Sequence, residues 1–180
     1  DVEFDLTVSN IPDAPFDELG VTWLQTGVYT SDSDTREEMM ADLDLATADL
    51  DPLVRDTDVI FHQAGQAGVR ASWGADFEIY THNNVLATQR LLEAVQGSRL
   101  QRFVYASSSS IYGDAKDLPV TESTLPHPVS PYGVTKLAAE HLCQLYYTNF
   151  QVPTVSLRYF TVYGPRQRPD MAFHKFIRAM

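Results

Sequence analysis

The sequence predicts an α/β protein built on a doubly wound parallel sheet, and three observations predict it. From Asp58 to Met180, short apolar runs rich in β-formers alternate with long segments of helical period. That order makes a parallel sheet with helices on both faces. The run Arg102-Phe103-Val104-Tyr105-Ala106 is too short for a helix and opens into Ser107, Ser108, Ser109 and Ser110. Small hydroxyl residues at the carboxyl end of a buried parallel strand line the crevice where open α/β sheets bind ligands. Ser130-Pro131 then begins a helix with a serine cap and a proline at the first helical position, where its missing N–H costs nothing.

The elements follow in order. Val2, Phe4, Leu6 and Val8 alternate with polar residues as in a half-exposed strand, closed by Asn10-Ile11-Pro12-Asp13. Val21 and Trp23 begin a short strand that ends near Gly27. Ser33 or Asp34 caps a helix over 35–41, with Glu37 or Glu38 placed for a capping interaction, and a shorter helix covers Leu50 to Arg55. Beyond it the pattern predicts a strand over 58–62, a helix over 76–96 ending near Gly97, and a strand over 102–107. A helix over 131–149, a strand over 153–160 and a helix starting near Met171 complete the reading.

Composition narrows the partners. The 180 residues, 44% of them hydrophobic, suffice for one core. The net charge of −11 is unevenly placed: sixteen of the 24 acidic residues fall within residues 1–58, against Arg36 and Arg55 alone. Residues 1–57 therefore read as an acidic, atypical N-terminal segment and 58–180 as the α/β core. An acidic surface repels polyanions, which argues against nucleic acid. No apolar stretch approaches a membrane span and no signal-peptide pattern opens the chain, so the expectation is a cytoplasmic protein with no membrane partner. The lone cysteine, Cys143, reads as a packing residue, and no spacing of His, Cys and carboxylates fits a metal.

The chemistry concentrates at Ser130-Pro131-Tyr132-Gly133-Val134-Thr135-Lys136. Tyr132 and Lys136 stand four residues apart and share one helix face. An ammonium near a phenol favours the phenolate, which suits the pair to moving a proton on and off a hydroxyl. His62, on a buried strand, reads as a hydrogen-bonded core histidine, and Trp23 and Trp73 read as packing residues.

Together the serine run, Tyr132 and Lys136 resemble the extended short-chain dehydrogenase/reductase family, in particular its nucleotide-sugar epimerases and dehydratases. Asp58-Val59-Ile60-Phe61-His62-Gln63-Ala64-Gly65, Asn84-Val85-Leu86-Ala87-Thr88 and Leu157-Arg158-Tyr159-Phe160-Thr161-Val162-Tyr163-Gly164-Pro165-Arg166 are similar to further family segments, so the likeness covers about two thirds of the chain. It implies a Rossmann-like fold, NAD as cofactor, a UDP-glucose or UDP-glucuronate substrate epimerised at C4, and a homodimer. By position, Tyr132 is the base, Lys136 lowers its pKa and binds the nicotinamide ribose, and Ser108 hydrogen-bonds the same sugar hydroxyl, with Ser109 as the alternative. The implied cofactor residues are Asp42, Leu43, Ala64, Gly65, Asn84, Ser107, Tyr132, Lys136 and Tyr159. Ser109, Thr161 and Arg168 are implied at the substrate, and Gly65 and Gly68 would admit the cofactor closely. Dehydratases of the family carry an Asp-Glu pair where this chain has Ser109-Ser110, which cannot supply the acid and base that elimination needs.

The chain also departs from the family. No G-x-x-G-x-x-G occurs, Gly20 and Gly27 stand too far apart, and the chain stops within the helix near Met180. The first Gly-rich βα unit and most of the C-terminal substrate domain are thus expected to be absent. This leaves two alternatives to an epimerase: a non-catalytic scaffold or fragment without cofactor, or a related dehydrogenase or reductase.

Overall fold

A computed structural model describes residues 23–26 (backbone), 44–116, 118–164 and 171–180; the expected strand over 2–8 and helix over 35–41 lie outside the described residues. Four strands, β1 (Trp23–Thr26), β2 (Val59–His62), β3 (Arg102–Ser108) and β4 (Thr154–Tyr159), form one parallel sheet in the order of the chain. The register sets Ile60 beside Phe103, His62 beside Tyr105, Ser107 beside Arg158 and Ser108 beside Tyr159. The parallel sheet expected from the alternating pattern is present, as is the Rossmann-like order that the resemblance implies.

Strand alternation decides where the core lies. Ile60, His62, Phe103, Tyr105 and Ser107 are buried, whereas Phe61, Val104 and Ala106 on the other face are half-buried. The buried face packs against α3 (Ala87–Ala94) and α4 (Pro131–Phe150) through Leu91, Leu92, Ala139, Cys143 and Tyr146. Each of the fully buried large side chains there is worth about 2 kcal/mol in apolar area removed from water. Leu50 and Val54, around the short helix α1 (Asp51–Val54), close the same core. Cys143 is one of its packing residues, and burial pushes its thiol up to about 12.

Helix α4 begins as its sequence dictates. The Ser130 hydroxyl accepts the Gly133 N–H at 3.1 Å, and Pro131 takes the first helical position. The helix ends at Gln151, whose φ of 60° puts it in the left-handed region that stops helices. The amphipathic helix α5 (Ala172–Ala179) follows the expected start near Met171.

The helix expected over 76–96 is present, entered through a 3₁₀ turn (Gly74–Asp76) and running on helical backbone through α2 (Phe77–Tyr80), a π-helical turn (Thr81–Leu86) and α3, so that its hydrogen bonding widens in the middle. The wide turn places Asn84 in the interior, where its side chain takes tertiary hydrogen bonds. Trp73 is 62% exposed rather than packed, since it sits between two 3₁₀ turns, Arg70–Ser72 and Gly74–Asp76, that run over the surface. The side chain of Trp23 lies outside what is described. Among the described residues no helix is long and apolar enough to cross a membrane, and no group of His, Cys and carboxylates is set to hold a metal.

Candidate active site

Lys136 is the centre of the site. It is buried, and its Nζ donates to the Ala106 carbonyl at 3.1 Å and lies 5.2 Å from the centre of the Tyr105 ring. Burial in this apolar wall pulls its pKa down to about 8. The backbone of Gly65 presses on the same spot. A Cβ added there would stand 3.1 Å from Lys136 Nζ and 2.9 Å from Asn84 Oδ1. Position 65 therefore needs glycine for close approach, although the groups it approaches are protein side chains.

Asn84 ties three segments together. Its Oδ1 accepts the Gln66 N–H at 2.7 Å, and its Nδ2 donates to the Gln66 carbonyl at 3.1 Å and to Thr135 Oγ1 at 3.0 Å. Thr135 in turn donates to the Tyr132 carbonyl at 2.9 Å. The Tyr132 ring stands edge-on to that of Tyr80, 6.2 Å between centres and 75° between planes. The Tyr80 hydroxyl donates to the carbonyls of Gly68 (2.8 Å) and Ala67 (3.1 Å). Loop 63–68, the π turn and the first turn of α4 thus form one network that fixes the half-buried Tyr132.

The serine run forms the opposite wall. Ser108 ends β3, and its Oγ accepts the Ser110 N–H at 3.1 Å, capping a 3₁₀ turn that spans Ser109–Ile111. With that lone pair engaged, the Ser108 O–H can point outward as a donor. The start of α4 lies directly on this turn: a Cβ at Gly133 would be 2.6 Å from the Ser110 carbonyl oxygen and 3.0 Å from Pro128. Tyr132 is therefore one residue from the contact and Ser108 two residues from it. Among the described residues nothing partners the buried Ser107 Oγ or the buried Tyr105 hydroxyl.

The remaining expected residues separate. Ala64 lies half-buried in the loop beside Gly65, and Ser109 opens the 3₁₀ turn. Tyr159 is 44% exposed at the end of β4 beside Ser108, rather than within the network of Lys136 and Asn84, because its place in the strand turns it to the half-buried face. Thr161 is exposed beyond β4, and Asp42, Leu43 and Arg168 lie outside the described residues. His62 is fully buried with its Nε2 2.9 Å from the Thr88 hydroxyl, and burial together with the Lys136 charge lowers its pKa to about 3. It serves the core.

Sequence reasoning missed a polar knot next to this wall. Arg158 donates to both carboxylate oxygens of Glu140 (Nε to Oε1 at 2.9 Å, Nη2 to Oε2 at 3.0 Å) and to the Tyr112 hydroxyl at 2.9 Å. Two signals pointed to it: a charged residue inside an apolar strand, and Glu140 four residues after Lys136 on the same helix.

The polar groups around Lys136 fit a nicotinamide dinucleotide. Lys136 has a single hydrogen bond to protein among those described and donors to spare, and Ser107 offers a buried hydroxyl that no described residue satisfies. Such groups suit the hydroxyls of a ribose.

Comparison with known proteins agrees. The model of the NAD dependent epimerase/dehydratase family matches residues 15–180. An uncharacterized UDP-glucose epimerase of Bacillus subtilis is 56% identical over 134 residues, 74% of this chain and 42% of its own length. A probable UDP-glucuronate 4-epimerase of Rhizobium meliloti is 37% identical over 76% of this chain and 40% of its own. Among solved structures, the UDP-glucuronic acid 4-epimerase of Bacillus cereus, in complex with UDP-glucuronic acid and NAD, superposes with a TM-score of 0.72 at 55% identity. That match covers 76% of this chain and 43% of the other, so the chain spans less than half the length of these relatives. With a family model matched over most of its length and the Tyr132–Lys136 helix seated on the serine turn, the chain belongs to the NAD dependent epimerase/dehydratase family.

Proposed function

We propose that this protein is the catalytic core of an NAD-dependent nucleotide-sugar 4-epimerase acting on UDP-glucose or UDP-glucuronate. The observation that carries the reading is the seating of the Tyr132 and Lys136 helix against the serine turn, with Ser109 and Ser110 at the positions where elimination would need an acid and a base.

Lys136, Ser107 and Asn84 would hold the cofactor at its ribose end, with Ala64 and Gly65 shaping the approach. NAD, when bound, supplies reversible hydride acceptance at the sugar's C4. The Tyr132 phenolate takes the proton from the C4 hydroxyl and later returns it. Ser108 donates a hydrogen bond to the same oxygen, and Lys136, kept charged below its pKa of about 8, favours the phenolate. Ser109 and Thr161 offer hydroxyls toward the sugar, and Arg168 is assigned to the diphosphate on the strength of its sequence position.

The two relatives most similar to this chain among those above carry names from both sugar types. The proposal therefore retains both. Exposed apolar side chains along α4 (Val134, Leu145), in α2 (Ile79) and in the π turn (Leu86) support assembly with a second copy, and the buried unpaired Cys143 suits a reducing cytoplasm.

The test is the product. Given UDP-glucose or UDP-glucuronate, a form of the protein charged with NAD yields the C4 epimer; a stable 4-keto-6-deoxy sugar would overturn the reading. Tyr132→Phe is expected to lower turnover about a hundredfold or more, the scale of a lost general base. Near-normal turnover by that variant would remove Tyr132 from the mechanism.

A further inference from the structure

We infer that Arg158 is a positioning residue, holding the turn that carries Ser108 in a fixed place against the helix that carries Tyr132. The inference rests on the epimerase reading for its consequence, and on the geometry alone for the tie itself.

Four of the five guanidinium N–H groups are used. Nε and Nη2 grip the Glu140 carboxylate, while Nη1 donates to the Tyr112 hydroxyl at 2.9 Å and to the Glu122 carbonyl at 3.1 Å. The guanidinium also lies over the Tyr112 ring, 5.1 Å from its centre. One side chain thus joins β4, α4, the residue that follows the serine turn and the 121–124 segment. The pair is partly shielded, with 22% of the arginine side chain and 10% of the glutamate side chain exposed. A fork of this kind fixes direction as well as distance, which a lysine cannot reproduce.

The tie acts where the site is set. Tyr112 follows directly on the 3₁₀ turn, and its N–H bonds the Ser109 carbonyl at 3.0 Å. Inside the same turn the Ser110 N–H bonds Ser108 Oγ, so any shift of the turn moves the Ser108 hydroxyl. Glu140 stands one helical turn beyond Lys136 on α4. At its near end the turn meets α4 through Gly133 and the Ser110 carbonyl; at its far end Arg158 links the two by hydrogen bonds to Tyr112 and Glu140. Two anchors set an orientation that one cannot.

Tyr112→Phe removes the hydroxyl and keeps the ring under the guanidinium, and Arg158→Lys keeps charge without the fork. The first readout needs neither substrate nor cofactor: hydrogen exchange at the Ser110 amide, which reports the bond to Ser108. Tyr112→Phe is expected to speed that exchange about tenfold while exchange in the core of β2 stays as in the parent. In the protein charged with NAD, the same variant should lower kcat about tenfold with KM for the nucleotide sugar within about twofold, the signature of lost alignment. Arg158→Lys, which loses the two-point grip on Glu140 as well as the fixed bond to Tyr112, should change both measures at least as much as Tyr112→Phe. Unchanged Ser110 exchange in Tyr112→Phe overturns the tie, and faster exchange with unchanged kcat overturns the positioning role. If the parent epimerises neither sugar while the exchange result holds, the epimerase reading fails and the tie stands.

Discussion

Replacing Lys136 with methionine should make the folded protein more stable while removing its function. The lysine is charged, almost wholly buried and held by a single carbonyl and a ring face. Its pKa falls from 10.5 to about 8 through burial. At about 1.4 kcal/mol per unit, the charged form costs the fold on the order of 3 kcal/mol at neutral pH. Methionine has similar length, fills the same buried space and carries no charge. The Ala106 carbonyl then loses a donor, which returns about 1 kcal/mol of that gain. A net gain of about 1–2 kcal/mol corresponds to a melting temperature higher by roughly 2–8 °C for a chain of this size.

The sign with pH separates this cause from others. Below about pH 8 the lysine is protonated in both states and its penalty is constant. Between about 8 and 10.5 the unfolded chain binds the proton that the folded chain has released, so parent stability from this group rises with pH. Parent and Lys136→Met should therefore differ most below pH 8 and converge toward pH 10. Cys143 works the opposite way above pH 9.0, and although the Lys136 charge lowers its pKa, the folded thiol stays protonated in both proteins up to pH 10, so the difference is untouched over that range. Melting curves by circular dichroism from pH 6.5 to 10 provide the assay. A variant less stable than the parent, or a difference that does not shrink with pH, would refute the burial argument.

Two other perturbations follow from the same geometry. His62 is held neutral down to about pH 3 against 6.5 when unfolded, so its share of stability is full above 6.5 and is lost as pH falls toward 3, about 4–5 kcal/mol in all. His62→Gln should flatten the acid limb of the stability profile between those values, and parallel limbs in acid titrations of the two proteins would count against it. Gly65→Ala puts a methyl 2.9 Å from Asn84 Oδ1 and 3.1 Å from Lys136 Nζ, and should weaken NAD binding about tenfold by displacing the ammonium. Calorimetric titration that finds unchanged affinity would show that Lys136 Nζ does not depend on that contact.

What the sequence conveyed and what it withheld divides by range. The strands around Ile60, Phe103 and Val155 and the capped start of α4 were legible because an apolar run and a Ser-Pro cap are local signals. The Tyr132–Lys136 pair was legible for the same reason. The widening of that helix at the π turn was not, because the bonds that hold it run from Asn84 to Gln66 and Thr135, 18 and 51 residues away. Arg158 escaped notice likewise: its partners Glu140 and Tyr112 are 18 and 46 residues distant. Tyr159 stands beside Ser108 and apart from Lys136 and Asn84, a placement set by the pairing of β3 with β4 and not by its motif. Composition says nothing about such pairings, which exist only once the sheet has formed.

The glycine at 133 has a consequence for anyone who would transplant this chemistry. A tyrosine and a lysine one helical turn apart can be written into many helices. Here the helix can dock only because residue 133 has no side chain, which lets a peptide oxygen of another segment sit where a methyl would otherwise be. The portable unit is therefore a pair of surfaces, a notched helix and the hydroxyl-bearing bend that fills the notch. Grafting the helix alone would carry over the proton carrier and leave behind the surface that aims it.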